Sequence, residues 1–164
     1  MYQSATIALL GDSIIDNEAY VMPGEPAVPD QLAEVFGNAV NFELLALDGA
    51  LVEEVESQCL NISKETTHLV VSAGGNNALE ALPLLDEKTK TISDALATLK
   101  SLQDSFAARY DRMLKELMRF QLPVLLCTIY RPRFSMGPSE RLADAPLPQT
   151  EGSDDLQKVA ATAL

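Results

Sequence analysis

The chain has 164 residues, 47% apolar and 22% charged, a composition that fits one folded domain with a sizeable core and excludes global disorder. Its net charge of −12 is uneven, since residues 1–63 hold eleven of the 24 acidic residues and none of the 12 lysines and arginines. That distribution argues against nucleic acid or an anionic membrane surface as partner, and no apolar run approaches the ~20 residues that span a bilayer.

In chain order, Met1–Leu10 has no basic n-region and meets Gly11 after a short apolar run. It reads as a strand over Thr6–Leu10 rather than a signal peptide, and the expected compartment is the cytoplasm. Pro29–Phe36 opens on Pro29-Asp30 and carries Leu32, Val35 and Phe36 at helical spacing. A second strand is expected at Phe42–Ala46, then a helix over Ala50–Leu60 with Leu51, Val52, Val55, Cys59 and Leu60 on one side. Asn61-Ile62-Ser63 reads as a turn. His68–Ser72 is the third strand, and Gly74-Gly75-Asn76-Asn77 after it reads, taken alone, as a turn. The spacing of Ile92, Leu96, Leu99, Leu102, Phe106, Tyr110, Met113 and Leu117 predicts one amphipathic helix over Ile92–Gln121. Thr91 and Asp94 have capping-box spacing, Pro123 enforces the stop, and the length leaves room for a kink. Val124–Thr128 is the fourth strand. Residues 130–152 are Pro-rich and irregular, and a last helix is expected over Asp154–Ala163.

All four strands are near-continuous in apolar residues, as parallel strands covered on both faces are. Their alternation with helices predicts an α/β fold, one domain over residues 1–164, with a mostly parallel sheet. Cys59 and Cys127 sit in apolar surroundings and act as small hydrophobes, too few for a disulfide framework or a zinc site. His68 is the one histidine, which excludes metal motifs that need two.

In open α/β sheets the ligand site lies beyond the carboxyl ends of the strands. Those ends deliver Gly11-Asp12-Ser13, Asp48-Gly49, Gly74-Gly75-Asn76-Asn77, and Tyr130 with Arg131. A serine, a glycine and an asparagine at one edge suit acyl transfer. Ser13 Oγ would attack a carbonyl, and the N–H groups of Ser13 and Gly49 with the Asn76 amide would hold the oxyanion. Asp12 is as well suited to hydrogen-bonding the loop backbone as to chemistry.

The stretch Leu10-Gly11-Asp12-Ser13-Ile14-Ile15-Asp16-Asn17, then Gly49, then Gly74-Gly75-Asn76-Asn77, resembles the first three signature blocks of the SGNH (GDSL) hydrolases. The resemblance covers Thr6 to about Arg133. It implies a three-layer α/β/α, flavodoxin-like fold with a sheet of four recognisable strands, and an esterase or lipase activity. It also implies Ser13 as nucleophile and Ser13, Gly49 and Asn76 as oxyanion donors.

The chain departs from the family pattern in two places. Asn77 stands where the third block usually has Asp, and no histidine follows His68 to supply the Asp-x-x-His block. The nearest local match to that block is Ala143-Asp144-Ala145-Pro146, and no fifth strand is expected before it, so the C-terminal third is expected to be abbreviated relative to the family. His68 sits at the start of the third strand, about 15 Å from its carboxyl end at ~3.3 Å per residue. Without a base a serine hydroxyl is a poor nucleophile at neutral pH. Asp16, Asn77 and Asp144 are the remaining candidates for a supporting role.

Three functions follow for comparison. The first is a serine ester hydrolase acting on a small-molecule ester with no metal or organic cofactor. The second is a non-enzymatic relative that binds a ligand or a partner. The third, a phosphate or nucleotide binder using Gly74–Asn77, is disfavoured by the lack of a Gly-rich phosphate fingerprint and by the acidic N-terminal half. A missing fifth strand would leave residues 124–128 as an exposed apolar edge, so either the Pro-rich segment covers it or two chains pair there as a homodimer.

Overall fold

A computed structural model of the chain describes residues 5–129. Strands β1 (Ala5–Gly11), β2 (Val40–Leu44), β3 (His68–Ser72) and β4 (Val124–Leu126) form one sheet in the order β2-β1-β3-β4, and each neighbouring pair is parallel. The connections carry helices α1 (Val28–Phe36), α2 (Val55–Cys59), α3 (Gly75–Ala81) and α4 (Ile92–Met118).

The two-residue period of a strand sends alternate side chains of β1 into two different cores. Ala8 and Leu10 join Leu69 and Val71 of β3 against Val55 and Cys59 of α2 and Met113 and Leu117 of α4. On the opposite face Leu9 packs with Ile15 and Ala46, flanked by Ile7, Phe42, Val70 and Leu32 of α1. With α1 on one face and α2 and α4 on the other, the described residues make three layers. Each fully buried Leu or Val here contributes about 1.5–3 kcal/mol relative to exposure. Cys59 is a free thiol in that core, and burial first, with the nearby Glu116 and Glu56 carboxylates, pushes its pKa to about 11.

Several elements differ from their sequence pattern for identifiable reasons. β2 starts and ends two residues early, because the N–H groups of Leu45 and Ala46 both turn to Leu9 O at 2.8 Å and leave the ladder. α2 is a short remnant of the expected Ala50–Leu60 helix: Leu51 N–H donates to Glu54 Oε2 (2.8 Å), which holds the segment before it as turns. Gly74–Asn77 is not a plain turn but the start of α3, with Gly74 as N-cap at φ +119°. A 3-10 turn, Leu82–Asp86, follows α3 directly.

α4 runs unbroken over 27 residues, and its cap forms as expected, with Thr91 Oγ1 accepting from Asp94 N–H at 3.1 Å. It stops at Met118 rather than Gln121, which takes a positive φ of 55°. Only the C-terminal part of its apolar stripe, Met113 and Leu117, is fully buried. Among the described residues β4 is an edge strand, and Leu125 is 62% exposed. Residues 130–152, the expected helix over Asp154–Ala163, Arg131 and Asp144 lie outside the described residues.

Candidate active site

The strand order places a topological switch point between β1 and β3. From β1 the chain leaves through α1 toward β2, and from β3 it leaves through α3 and α4 toward β4 on the other side, opening a crevice at the carboxyl ends.

β1 ends at Gly11 with φ +123°, where a Cβ would lie 1.7 Å from Ser72 O, so no other residue fits. The Gly11 peptide is gripped by the buried Gln58 side chain. Gly11 N–H donates to Gln58 Oε1 (2.8 Å) and Gln58 Nε2 donates to Gly11 O (2.9 Å). Leu47 N–H adds a bond to the same carbonyl at 3.0 Å. Asp12 then builds the turn that carries Ser13. Its N–H donates to Ser72 O (2.9 Å), its carbonyl accepts from Ile15 and Asp16 N–H (3.0 and 3.1 Å), and its Oδ1 accepts from Ile14 N–H (3.1 Å). Asp12 is 3% exposed. Burial pushes its carboxyl pKa up, the Ile14 N–H opposes this, and the Asp48 carboxylate adds to the rise.

The loop after β2 is tied to this turn. Asp48 N–H donates to Asp16 Oδ2 at 2.9 Å, and the Tyr20 hydroxyl donates to the Asp48 carboxylate, 2.9 Å from one oxygen and 3.1 Å from the other. Gly49 follows at φ +80°, exposed. The third contribution comes from the start of α3. Asn76 Nδ2 donates to Ala50 O (3.0 Å), which fastens it to the residue after Gly49. Asn77 is buried and reaches the same loop, accepting from Val52 N–H (3.1 Å) and donating to Glu53 Oε2 (3.0 Å). Glu53 Oε1 in turn pairs with Arg109 Nη1 of α4 at 2.7 Å. Burial alone would raise the Glu53 pKa, but the bonds from Arg109 and Asn77 outweigh it and hold the carboxyl below its ordinary value.

Three donors remain. Among the described residues the N–H groups of Ser13 and Gly49 donate to no protein acceptor, and one hydrogen of the Asn76 amide is uncommitted. The Ser13 hydroxyl, half-exposed, likewise has no partner there. Asp16 and Asn77, candidates for a supporting role, fasten loops: one carboxylate oxygen of Asp16 holds Asp48, and both ends of the Asn77 amide are used. His68 is exposed, hydrogen-bonded through Nδ1 to Thr67 Oγ1 (2.9 Å), and in register with Ile7 while Gly11 pairs with Ser72. Four strand residues, about 13 Å, separate it from the crevice.

Gln58, Glu53, Arg109 and Tyr20 were not foreseen from sequence. Gln58 carried a usable signal: it is a polar residue beside Val55 and Cys59 in an apolar helical stripe. The pairing of Glu53 with Arg109 spans 56 residues and leaves no local pattern.

No protein-family model matches the chain, and no curated protein matches it. Solved structures do. Phospholipase A1 from Streptomyces albidoflavus NA297 superposes with a TM-score of 0.66 at 18% identity, over 98% of this chain and 72% of that one. An extracellular lipase from Streptomyces rimosus gives 0.61 at 18% identity, over 97% and 72%. The lipase Lip_vut3 from a goat rumen metagenome gives 0.59 at 16% identity, over 98% and 74%. At such identities the likeness speaks for the fold alone, and it agrees with the parallel sheet and helical layers: the chain has an α/β fold like that of this phospholipase and these lipases.

Proposed function

We propose that the chain hydrolyses carboxylic esters with Ser13 as nucleophile. One observation carries this reading: a serine hydroxyl, two backbone N–H groups and an amide hydrogen, all without protein partners among the described residues, belong to segments fastened together at the switch point of a hydrolase fold. Ser13 Oγ adds to the ester carbonyl carbon, and the carbonyl oxygen takes up the negative charge. Ser13 N–H, Gly49 N–H and Asn76 Nδ2 stabilise that oxygen, and loss of one such donor costs about 2.7–4 kcal/mol of transition-state stabilisation. The Ser13 hydroxyl proton passes to solvent as Oγ adds. Collapse of the tetrahedral intermediate breaks the ester C–O bond, and the departing alkoxide takes a proton back from solvent and leaves as the alcohol. Water then adds to the acyl-serine, releasing the carboxylic acid and restoring the serine hydroxyl.

A second reading, an acyl-binding module without turnover, is favoured by one specific observation. No histidine or carboxylate hydrogen-bonds the Ser13 hydroxyl among the described residues. Hydrolysis of 4-nitrophenyl acetate by the natural chain and by Ser13→Ala, across pH 5–9, decides between them. Turnover abolished by Ser13→Ala supports the esterase. Equal, negligible rates support the binding module.

A further inference from the structure

Along α4 the ion pairs of Lys100, Lys115 and Arg119 join residues three or four apart on the helix itself. Arg109 instead reaches out of the helix to Glu53, 56 residues away in the loop after Gly49, with Nη1 2.7 Å from Oε1. The two side chains are 26% and 32% exposed, so solvent screens their attraction less than that of a surface pair.

This pair is the outer end of a chain of contacts that stops at two proposed oxyanion donors. Glu53 Oε2 accepts from Asn77 Nδ2 at 3.0 Å, and Asn77 Oδ1 accepts from the buried Val52 N–H at 3.1 Å. Beside it, Asn76 Nδ2 donates to Ala50 O at 3.0 Å. The start of α3 thus holds the segment after Gly49 at three points, and two of them pass through Asn77. Glu53 decides which way the Asn77 amide faces. Turned over, the amide would set its oxygen against the Glu53 carboxylate and its NH2 against Val52 N–H. A carboxylate at this position would still accept from Val52 N–H, but its other oxygen would meet the negative charge of Glu53 at hydrogen-bond distance. An amide is therefore the side chain this arrangement requires, which accounts for Asn77 where the third sequence block usually has Asp.

α4 braces both segments from one face. Phe106, Arg109 and Met113 are spaced three and four residues apart and so share a side of the helix. Met113 is fully buried in the core. A Cβ on Gly74, the N-cap of α3, would lie 3.2 Å from the Phe106 ring, and Arg109 holds Glu53. A helix seated by its core contact therefore backs the α3 start and the Gly49 loop together. We propose that Arg109, acting through Glu53, is a positioning residue that fixes the Asn77 amide and with it the separation of the Gly49 N–H from the Asn76 amide. Its effect on turnover rests on the function proposed above. Oxyanion donors act on charge that develops in the transition state, so a shift of the two segments lowers kcat and leaves KM. A misplacement of about 1 Å costs about 10²-fold.

The test assays Arg109→Met, Arg109→Lys, Asn77→Asp, Glu53→Gln and the double variant Asn77→Asp with Glu53→Gln on 4-nitrophenyl acetate, well below the Tm of each. Arg109→Met should lower kcat at least tenfold with KM within twofold. Arg109→Lys, which keeps the charge but not the planar fork, should fall between it and the natural chain. Asn77→Asp opposes two carboxylates, and Glu53→Gln turns an NH2 toward one of the two donors that Glu53 accepts. Each should lower kcat at least tenfold. The double variant again sets a donor against an acceptor at every contact, and its kcat should exceed that of both single variants at least fivefold. A Tm loss in Arg109→Met without loss of kcat, or single losses that multiply in the double variant, overturns the inference. Hydrogen exchange of Val52 N–H, followed by NMR against the Leu69 N–H of β3 as a reporter of global opening, reads the same contacts without turnover. It should quicken at least tenfold relative to Leu69 in Arg109→Met and Asn77→Asp and slow again in the double variant. Equal relative exchange in all variants overturns the inference even if the chain hydrolyses no ester. Turnover that survives Ser13→Ala sinks the proposed function alone.

Discussion

Replacing Gln58 by Leu isolates the contact that seats the Ser13 turn. The side chain is buried, and its amide holds both polar groups of the Gly11 peptide, at 2.8 and 2.9 Å. Leucine nearly conserves the volume, so cavity formation is a minor cost. Gly11 O keeps its bond from Leu47 N–H, so its loss is one hydrogen bond, about 0.5–1.5 kcal/mol. Gly11 N–H is left buried and unpaired, which costs about 1–3 kcal/mol. Together the destabilisation is about 2–4 kcal/mol, and at about 2–4 °C per kcal/mol for a chain of this size Tm falls by roughly 5–15 °C. Thermal denaturation followed by circular dichroism reads it directly. Gln58→Glu supplies a control with a defined pH dependence. The introduced carboxylate still accepts from Gly11 N–H, but only its protonated form donates to Gly11 O. Burial raises its folded-state pKa above the ordinary ~4.3. The stability is thus fully present below the unfolded pKa and is lost as pH rises through the folded one, so Gln58→Glu should approach the natural chain in acid and fall behind it near neutrality. A Gln58→Leu melt within about 2 °C of the natural chain would show that the amide does not clamp the strand end, because it corresponds to less than about 1 kcal/mol.

Asn76→Ala removes one hydrogen bond to Ala50 O, worth about 1 kcal/mol, and one proposed oxyanion donor. Ester hydrolysis should fall by about 10²–10³ while Tm falls by only a few degrees, and proportionate loss of both would reduce Asn76 to a turn residue. Asp12→Asn keeps the oxygen that accepts from Ile14 N–H and removes a carboxylate whose pKa is raised above 3.8, chiefly by burial. Because a raised carboxyl pKa means stability lost as pH rises, Asp12→Asn should melt higher than the natural chain at pH 7. The gap should close on acidification toward the unfolded value, and a gap independent of pH would refute the account. Cys127 N–H donates to Val71 O at 2.8 Å, so the Leu126 N–H faces the outer edge of β4. Pairing of two chains along that edge predicts a sedimenting dimer that Leu126→Pro dissociates, and a clean monomer of the natural chain at micromolar concentration removes it.

The strands were the most legible part of the molecule. His68–Ser72 reads as a strand and is one, because its apolar run is buried from both sides. The cap at Thr91 was equally legible, since its chemistry is complete within four residues. α2 and α3 were misjudged in opposite directions. Leu51–Glu54 has helical spacing but is held as turns by Glu54 and by Asn77 from α3. Gly74–Asn77 has turn composition but enters a helix that lacks an apolar stripe.

Local order in the chain thus determined the alternation of parallel strands and helices, and it put Ser13, Gly49 and Asn76 at strand ends, since apolar periodicity and glycine placement act over a few residues. The tertiary structure alone decided what holds those ends in register. Gln58 reaches back 47 residues to Gly11, and Asn77, Glu53 and Arg109 join α3, the Gly49 loop and α4. It also decided that only the C-terminal part of the α4 stripe is fully buried while Ile92 and Leu96 stay exposed, because a stripe records which side of a helix is apolar and not what lies beneath it.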